Sequence, residues 1–345
     1  MSRVDLAPSG DCRYDALTLG EVMLRLDPGD GRVRSTRTFT VSEGGGEYNV
    51  GRALRRCFDH RVAHITAIGD NDIGRLLEDL MLQGGVDLDH IVWKPADEVG
   101  RSGRNPLNFT ERGHGVRAAH GTYDRAHSAT ASLQPDDVDW EHLFGNLGVR
   151  WFHTGGIFAG LSSSTFDVAT HAMATARRHG TLVSYDINYR PSLWATAGGS
   201  EAAAAMTDRL LEHVDVLFGV DGTDFDATVN GLLERHEHLG VIATPTRVIR
   251  SASRNDWGGL AWSAATGPIT GLQLDDLDIL DRVGGGDGFA AGIIHGLLTG
   301  ADLPDALDLG VAHGALVMTT TGDTSDADLA EVQRVATGRD AGARR

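Results

Sequence analysis

The chain has 345 residues, 41% of them hydrophobic and 45 of them glycine, enough to bury one large α/β core or two smaller ones. A formal net charge of −17, with no long basic block before the terminal Ala-Arg-Arg, excludes a nucleic-acid partner, and no apolar run approaches the roughly 18 residues of a membrane span. Two cysteines, Cys12 and Cys57, make neither a disulfide framework nor a four-cysteine zinc site, and the start lacks the basic and apolar stretches of a signal peptide, so a cytoplasmic protein is expected.

Residues 16–26 alternate loosely between apolar and polar and predict a strand, followed by the turn cluster Asp27-Pro-Gly-Asp-Gly31. The glycine turn Gly44-Gly-Gly-Glu-Tyr-Asn49 then enters a helix whose apolar side is Val50, Ala53, Leu54 and Cys57. A strand is predicted over 62–68, and Gly69-Asp-Asn-Asp-Ile-Gly74 leads into a helix over 76–82 that Gly84 and Gly85 end. Such alternation is the signature of a parallel sheet with crossover helices. Residues 100–128 break the rhythm. Polar and rich in Arg and Asn, they predict short strands and loops that project from the sheet. Strands over 149–156, 182–187, 214–218 and 241–242, helices over 164–179 and after Ser200, and a late hairpin strand over 257–262 resume it. Only the ends, about 1–13 and 336–345, look dispensable. Lys94, the only lysine, sits in Val-Trp-Lys-Pro, which excludes a Walker-type P-loop and leaves any phosphate to arginines, backbone amides and metal.

The most informative stretch is Asp281-Arg-Val-Gly-Gly-Gly-Asp287-Gly, running straight into a helix. Three glycines let backbone N–H groups turn inward, and the first helical turn adds unpaired donors at the positive end of its dipole. Negative oxygens bind well there. Asp287 is a carboxylate inside that cradle, where repulsion would exclude it from merely holding phosphate, whereas transfer of a phosphoryl group to a hydroxyl requires a base at that place. The helix dipole is expected to favour its ionised form at neutral pH. Gly288, Gly292 and Gly296 recur every four residues and predict a face for close packing, beside an apolar stripe of Phe289, Ile293 and Leu297.

Together these motifs resemble the PfkB/ribokinase family of sugar kinases over nearly the whole chain, about 14–336. Within the family, Tyr123-Asp-Arg125-Ala-His-Ser-Ala129 and Asp186-Ile-Asn188-Tyr-Arg190-Pro-Ser-Leu-Trp194 are most similar to 2-keto-3-deoxygluconate kinases. The resemblance implies a ribokinase-like three-layer α/β sandwich with a mostly parallel central sheet and a small β lid from about 23–41 and 99–123, often used for homodimerisation. It implies ATP and Mg²⁺, Asp287 as base, and Gly284, Gly285 and Gly286 as the anion hole. Gly45, Gly46, Asn49, Asn108 and Asp186 fall on the sugar side, and Tyr123, Arg125 and Arg190 match positions that hold the acid end of the substrate. Asn188, Thr246, Arg247 and Gly286 fall on the nucleotide side. Chemistry supports an acid substrate independently, because a guanidinium fork grips a carboxylate bidentately and a neutral sugar has no need of one.

Departures from the family pattern concern metal and nucleotide. Gly219-Val-Asp-Gly-Thr-Asp224 stands where the family has an Asn-Glu-rich motif, with Asp221 and Asp224 as substitutes, and Thr244-Pro-Thr-Arg247 replaces the Thr-x-Gly-x-x-Gly turn. Arg282 and Gly285 stand where many members carry Thr and Ala. His236-Glu-His238 is expected on a solvated helix rather than at a metal, His153 and His313 as structural residues, and Asp275, Asp276, Asp278 and Asp281 as a solvated edge, Asp281 being near enough to the turn to orient a cation. Three alternatives to the sugar-acid kinase are open: a kinase for fructose, ribose or another sugar; an NAD-dependent oxidoreductase, from the loose fingerprint Gly286-x-Gly288-x-x-Ala291; and a catalytically silent sugar-binding protein.

Overall fold

The computed structural model describes residues 6–97, 99–324 and 326–338. The single strand expected over 16–26 is two, β1 (Tyr14–Leu19) and β2 (Met23–Asp27), in different sheets. They part at Gly20, where a side-chain carbon would fall 2.3 Å from the Glu47 carboxylate. β3 (Thr40–Gly44) leads into α1 (Gly46–Arg56), which buries Val50, Ala53 and Leu54 as their spacing requires. The segment 62–68 also divides, into β4 (Val62–Ile65) and β5 (Ala67–Asp70), and β5 pairs with β6 (Val92–Pro95) in a small separate sheet. The intervening α2 (Asp72–Gly84) is capped by the Asn71 side chain and stopped by Gly85 in the left-handed conformation.

Two strands occupy the polar stretch, β7 (Leu107–Glu111) and β8 (His120–Asp124). The expected rhythm then holds through β9 (Val149–Gly155), α3 (Gly156–Ala159), α4 (Ser163–Arg178), β10 (Leu182–Asp186), α5 (Pro191–Trp194), α6 (Gly199–Leu211), β11 (Val216–Phe218) and α7 (Phe225–Leu233). What looked like a short strand at 241–242 begins a long hairpin of β12 (Val241–Ser251) and β13 (Arg254–Ser263), flanked by β14 (Gly267–Thr270) and β15 (Leu274–Asp278). The last helices are α8 (Gly285–Leu298), α9 (Leu303–Val317) and α10 (Leu329–Ala336).

The main sheet runs β14-β13-β12-β11-β10-β9-β1-β4, with β15 on β13, and every pairing from β4 to β12 is parallel. Its strands alternate between two cores. Ala16, Trp151, Leu182 and Val216 pack with α1, α8 and α9, whereas their neighbours Leu17, Phe152, Val183 and Leu217 pack with α4, α6 and α7. The result is the expected three-layer α/β sandwich. A second sheet, ordered β3-β2-β7-β8, lies within 23–44 and 107–124.

Residues 1–5 and 339–345 of the ends expected to be dispensable lie outside the described residues. Residues 6–13 are tied to the rest of the fold by hydrogen bonds. Arg61 donates to the carbonyls of Ser9 and Cys12 at 2.9 and 2.8 Å, Arg150 to that of Ala7 at 2.9 Å, and Cys12 is buried. The His236-Glu-His238 segment is a turn after α7 rather than a solvated helix, and buried His236 bonds Asp208 at 2.9 Å. His153 and His313 are structural, as expected: each is buried and satisfied, on Ser184 and on the Gly288 carbonyl, both at 2.8 Å.

Candidate active site

Parallel strands leave their C-terminal ends free to carry loops, and the glycine turns gather there. Gly284 takes a left-handed φ of +81°, at which a side-chain carbon would lie 1.9 Å from the Asp323 carbonyl, so only glycine fits. α8 opens immediately after it. Gly288 N–H bonds the Gly284 carbonyl at 2.8 Å, which leaves the amides of Gly285, Gly286 and Asp287 without helical partners in the first turn. Around Gly286 nothing lies within 4 Å of a side-chain position. The cradle is therefore open and rich in donors.

The glycine turn at α1 faces it. Asn49 donates its amide to the Asp287 carboxylate at 2.7 Å and accepts from Gly45 N–H at 3.3 Å. A side chain on Gly46 would fall 3.4 Å from the Asn188 amide and 3.6 Å from Asp287, so both turns and the β10 end share one small space. Asp186 accepts from Asn188 N–H at 2.9 Å, and Asn188 holds a left-handed φ of +35°. Burial drives the Asp287 carboxyl up to about 7, Asn49 pulls it back, and the charges of Asp186 and Asp323 add to the rise. The helix dipole is expected to favour the ionised form at neutral pH; desolvation and neighbouring carboxylates act against the dipole and bring the carboxyl to where both forms are present at that pH.

Arginines ring this space unequally. Arg190 is exposed just beyond Asn188 and attracts both Asp186 and Asp287. Arg247 on β12 has its proton affinity lowered by burial and then by the charges of Arg282 and Arg190. Thr246 points the other way, toward the 219–224 loop, where a side chain on Gly222 would lie 4.0 Å from it. Arg125 pairs with buried Glu21 at 2.7 Å, beside Gly45, and its guanidinium lies 5.9 Å from the Tyr123 ring. Tyr123 and Asn108 sit opposite each other on the second sheet, Tyr123 exposed and Asn108 buried with its oxygen accepting from Thr110.

Three groups escaped the sequence reading. Glu47 is buried between Gly20 and Gly155, and burial, followed by repulsion from Asp287, lifts it to about 8. Its signal was present, since it is also a carboxylate inside a glycine turn. Asp281 is not part of a solvated edge: it is buried in ion pairs with Arg25, which also holds Asp323. Residues 25 and 323 carry no local signal. Asp221 forms a turn with Thr223 N–H at 2.9 Å, and Asp224 caps α7. Among the described residues no group of three carboxylate, histidine or cysteine side chains converges to hold a metal.

The pfkB family carbohydrate kinase profile matches residues 15–329. Two curated relatives are similar over almost their whole length. The 2-dehydro-3-deoxygalactonokinase of Haloferax volcanii is 28% identical, covering 95% of this chain and 98% of its own, and the 2-dehydro-3-deoxygluconokinase of Bacillus subtilis is 26% identical, covering 90% and 91%. Among solved structures, the 2-dehydro-3-deoxygluconokinase of Thermotoga maritima superposes with a TM-score of 0.85 at 29% identity, over 94% of this chain and 99% of that one. The loose dinucleotide fingerprint is therefore the start of α8 in a kinase fold, facing Asn49, and not a nicotinamide site. By its profile, its fold and its two facing glycine turns, the chain belongs to the pfkB family of carbohydrate kinases.

Proposed function

We propose that the chain phosphorylates the terminal hydroxyl of a keto-deoxy sugar acid, with 2-keto-3-deoxygluconate (2-dehydro-3-deoxygluconate) as the preferred substrate and ATP as donor. The observation that carries the chemistry is Asp287 in the amide cradle of α8, bonded at 2.7 Å to Asn49 of the facing turn. ATP supplies the phosphoryl group. Asp287 takes the hydroxyl proton, the Gly284, Gly285 and Gly286 backbone steadies charge on the moving phosphoryl group, and Gly45, Gly46, Asn49 and Asp186 hold the sugar. The mutual influence of Arg190, Arg247 and Arg282 supports the handling of several negative charges without a lysine. Mg²⁺ enters with the nucleotide phosphates, in keeping with its habit of keeping water and substrate oxygens as ligands.

Arg190 and Arg125, with Tyr123 and Asn108 on the second sheet, are assigned to the acid end of the substrate. On this reading the second sheet is a lid, and its outer face joins two chains in a cytoplasmic homodimer, which sedimentation at micromolar concentration tests. The names of the relatives support the substrate class, a keto-deoxy sugar acid, and divide among two 2-dehydro-3-deoxy epimers and the isomeric 5-dehydro-2-deoxygluconate. A panel of these three acids, a neutral ketose and a neutral pentose with ATP and Mg²⁺ tests the reading. The acids are expected to lead in kcat/KM, and a higher value for a neutral sugar overturns the substrate assignment.

A further inference from the structure

We propose that Arg25 is a positioning residue for phosphoryl transfer: its buried guanidinium spans Asp281 and Asp323 and sets the phosphate turn in register with the second sheet. The proposal rests on the reading of the 284–287 turn as the phosphoryl site. Arg25 is 1% exposed on β2, and its two terminal nitrogens pair separately with Asp281 and Asp323, whose side chains are 1% and 4% exposed. Asp27 adds a contact at 3.4 Å.

Both carboxylates belong to the walls of the turn. The second oxygen of Asp281 accepts from Val283 N–H at 3.2 Å, fixing the peptide just before Gly284. The Asp323 carbonyl covers Gly284, where a side chain would approach it to 1.9 Å, and its carboxylate lies against Gly44 at the entrance to the facing turn. The backbone of Arg25 pairs with Ser42 of β3 and Asn108 of β7. One cation thus ties the second sheet to both sides of the anion cradle.

Stability alone does not explain this arrangement. A buried ion triad is commonly replaced by apolar residues of similar volume with no loss of stability, because desolvating the charges offsets their attraction. What apolar packing lacks is direction. A planar fork holding two carboxylates fixes their separation and orientation, and a point-charge ammonium does not.

Two variants test the proposal, each compared with Asp287→Asn. Arg25→Lys keeps the charge and loses the fork. The triple variant Arg25→Met, Asp281→Asn, Asp323→Asn removes the three central charges, and Asp27 keeps Arg112 as its partner at 3.3 Å, so no charge is left buried and unpaired. In both, kcat is expected to fall at least tenfold with KM for ATP and sugar changed less than about threefold, and amide hydrogen exchange across 284–288 to rise while unfolding stays cooperative. A kcat within about threefold of the parent in either variant overturns the proposal. So does failure of both to fold, which would assign Arg25 to the fold alone. If Asp287→Asn retains turnover, the phosphoryl-site reading fails, and unchanged exchange at 284–288 in the Arg25 variants then rejects the positioning role on its own terms.

Discussion

At the residue scale the chemistry turns on one proton. On the proposed role of Asp287 as base, burial that raises its carboxyl to about 7 makes it the group expected to limit activity in acid, with kcat/KM falling about tenfold per pH unit below that point. Asp287→Asn should lower kcat by about 10² to 10⁴ while leaving ATP and sugar binding measurable by calorimetry. Its stability effect has a definite sign. A raised pKa means that the folded state holds the proton more firmly than the unfolded one, so stability is full below about pH 4 and declines as pH rises through 7. The asparagine variant should therefore melt higher than the parent at pH 8 and at the same temperature at pH 4; the reverse order would show that the carboxylate is stabilised where it stands. The two arginines should separate as well. Arg190→Ala is expected to lose one to two decades in kcat/KM for the acid substrate with an unchanged melting point, since Arg190 is exposed. Arg125→Ala should also melt lower, because it leaves the Glu21 carboxylate buried without its partner.

At the element scale, α8 combines the end proposed to hold the phosphoryl group with a packing face. Gly288, Gly292 and Gly296 lie against α9, and a side-chain carbon at Gly292 would sit 2.6 Å from the Leu309 carbonyl and 2.7 Å from Gly310. Alanine there gains about 1 kcal/mol of helix propensity and loses about 1–3 kcal/mol or more to overpacking against backbone that cannot yield. Gly292→Ala is thus expected to be less stable in urea unfolding. Gly286→Ala, in open space, should unfold within about 1 kcal/mol of the parent yet lose activity, because its methyl enters the region the phosphoryl group needs. Equal activity in these two variants would contradict the division of labour along the helix.

At the scale of the whole molecule, buried titratable groups set opposing slopes. His64 and His153 are held down to about 3 and His295 and His313 to about 4, all by burial, and His60 is lowered by the same cause. These histidines bind protons only on unfolding, so they subtract stability as pH falls below their unfolded value of about 6.5. Glu47, raised to about 8, and Asp287 act in the other direction and subtract stability as pH rises. Above pH 6.5 the histidines no longer act, while Glu47 and Asp287 still subtract stability up to about pH 8. The melting temperature should therefore fall between about pH 6.5 and 8, and differential scanning calorimetry across that range tests this.

The sequence alone determined what depends on neighbouring residues. Glycine triplets before a helix, a carboxylate within one, and the spacing of apolar positions act over a few residues, and they made legible the α/β layering, Asp287 with Gly284, Gly285 and Gly286, and the facing turn of Gly45, Gly46 and Asn49. The same local logic covers Glu47, a second carboxylate within a glycine turn. Only the tertiary structure decided the rest. The strands expected over 16–26 and 62–68 each divide between two sheets, the first where Gly20 lies against Glu47 and the second where Thr66 accepts from Val92 N–H at 2.9 Å and β5 turns to pair with β6, partners that are distant in sequence. Burial of Asp281, the pairing of Arg125 with Glu21, and the place of Arg25 between residues 281 and 323 arise where distant segments meet. Desolvation also raised Asp287 against the pull of the helix dipole, since a dipole acts locally whereas burial is a property of the whole fold.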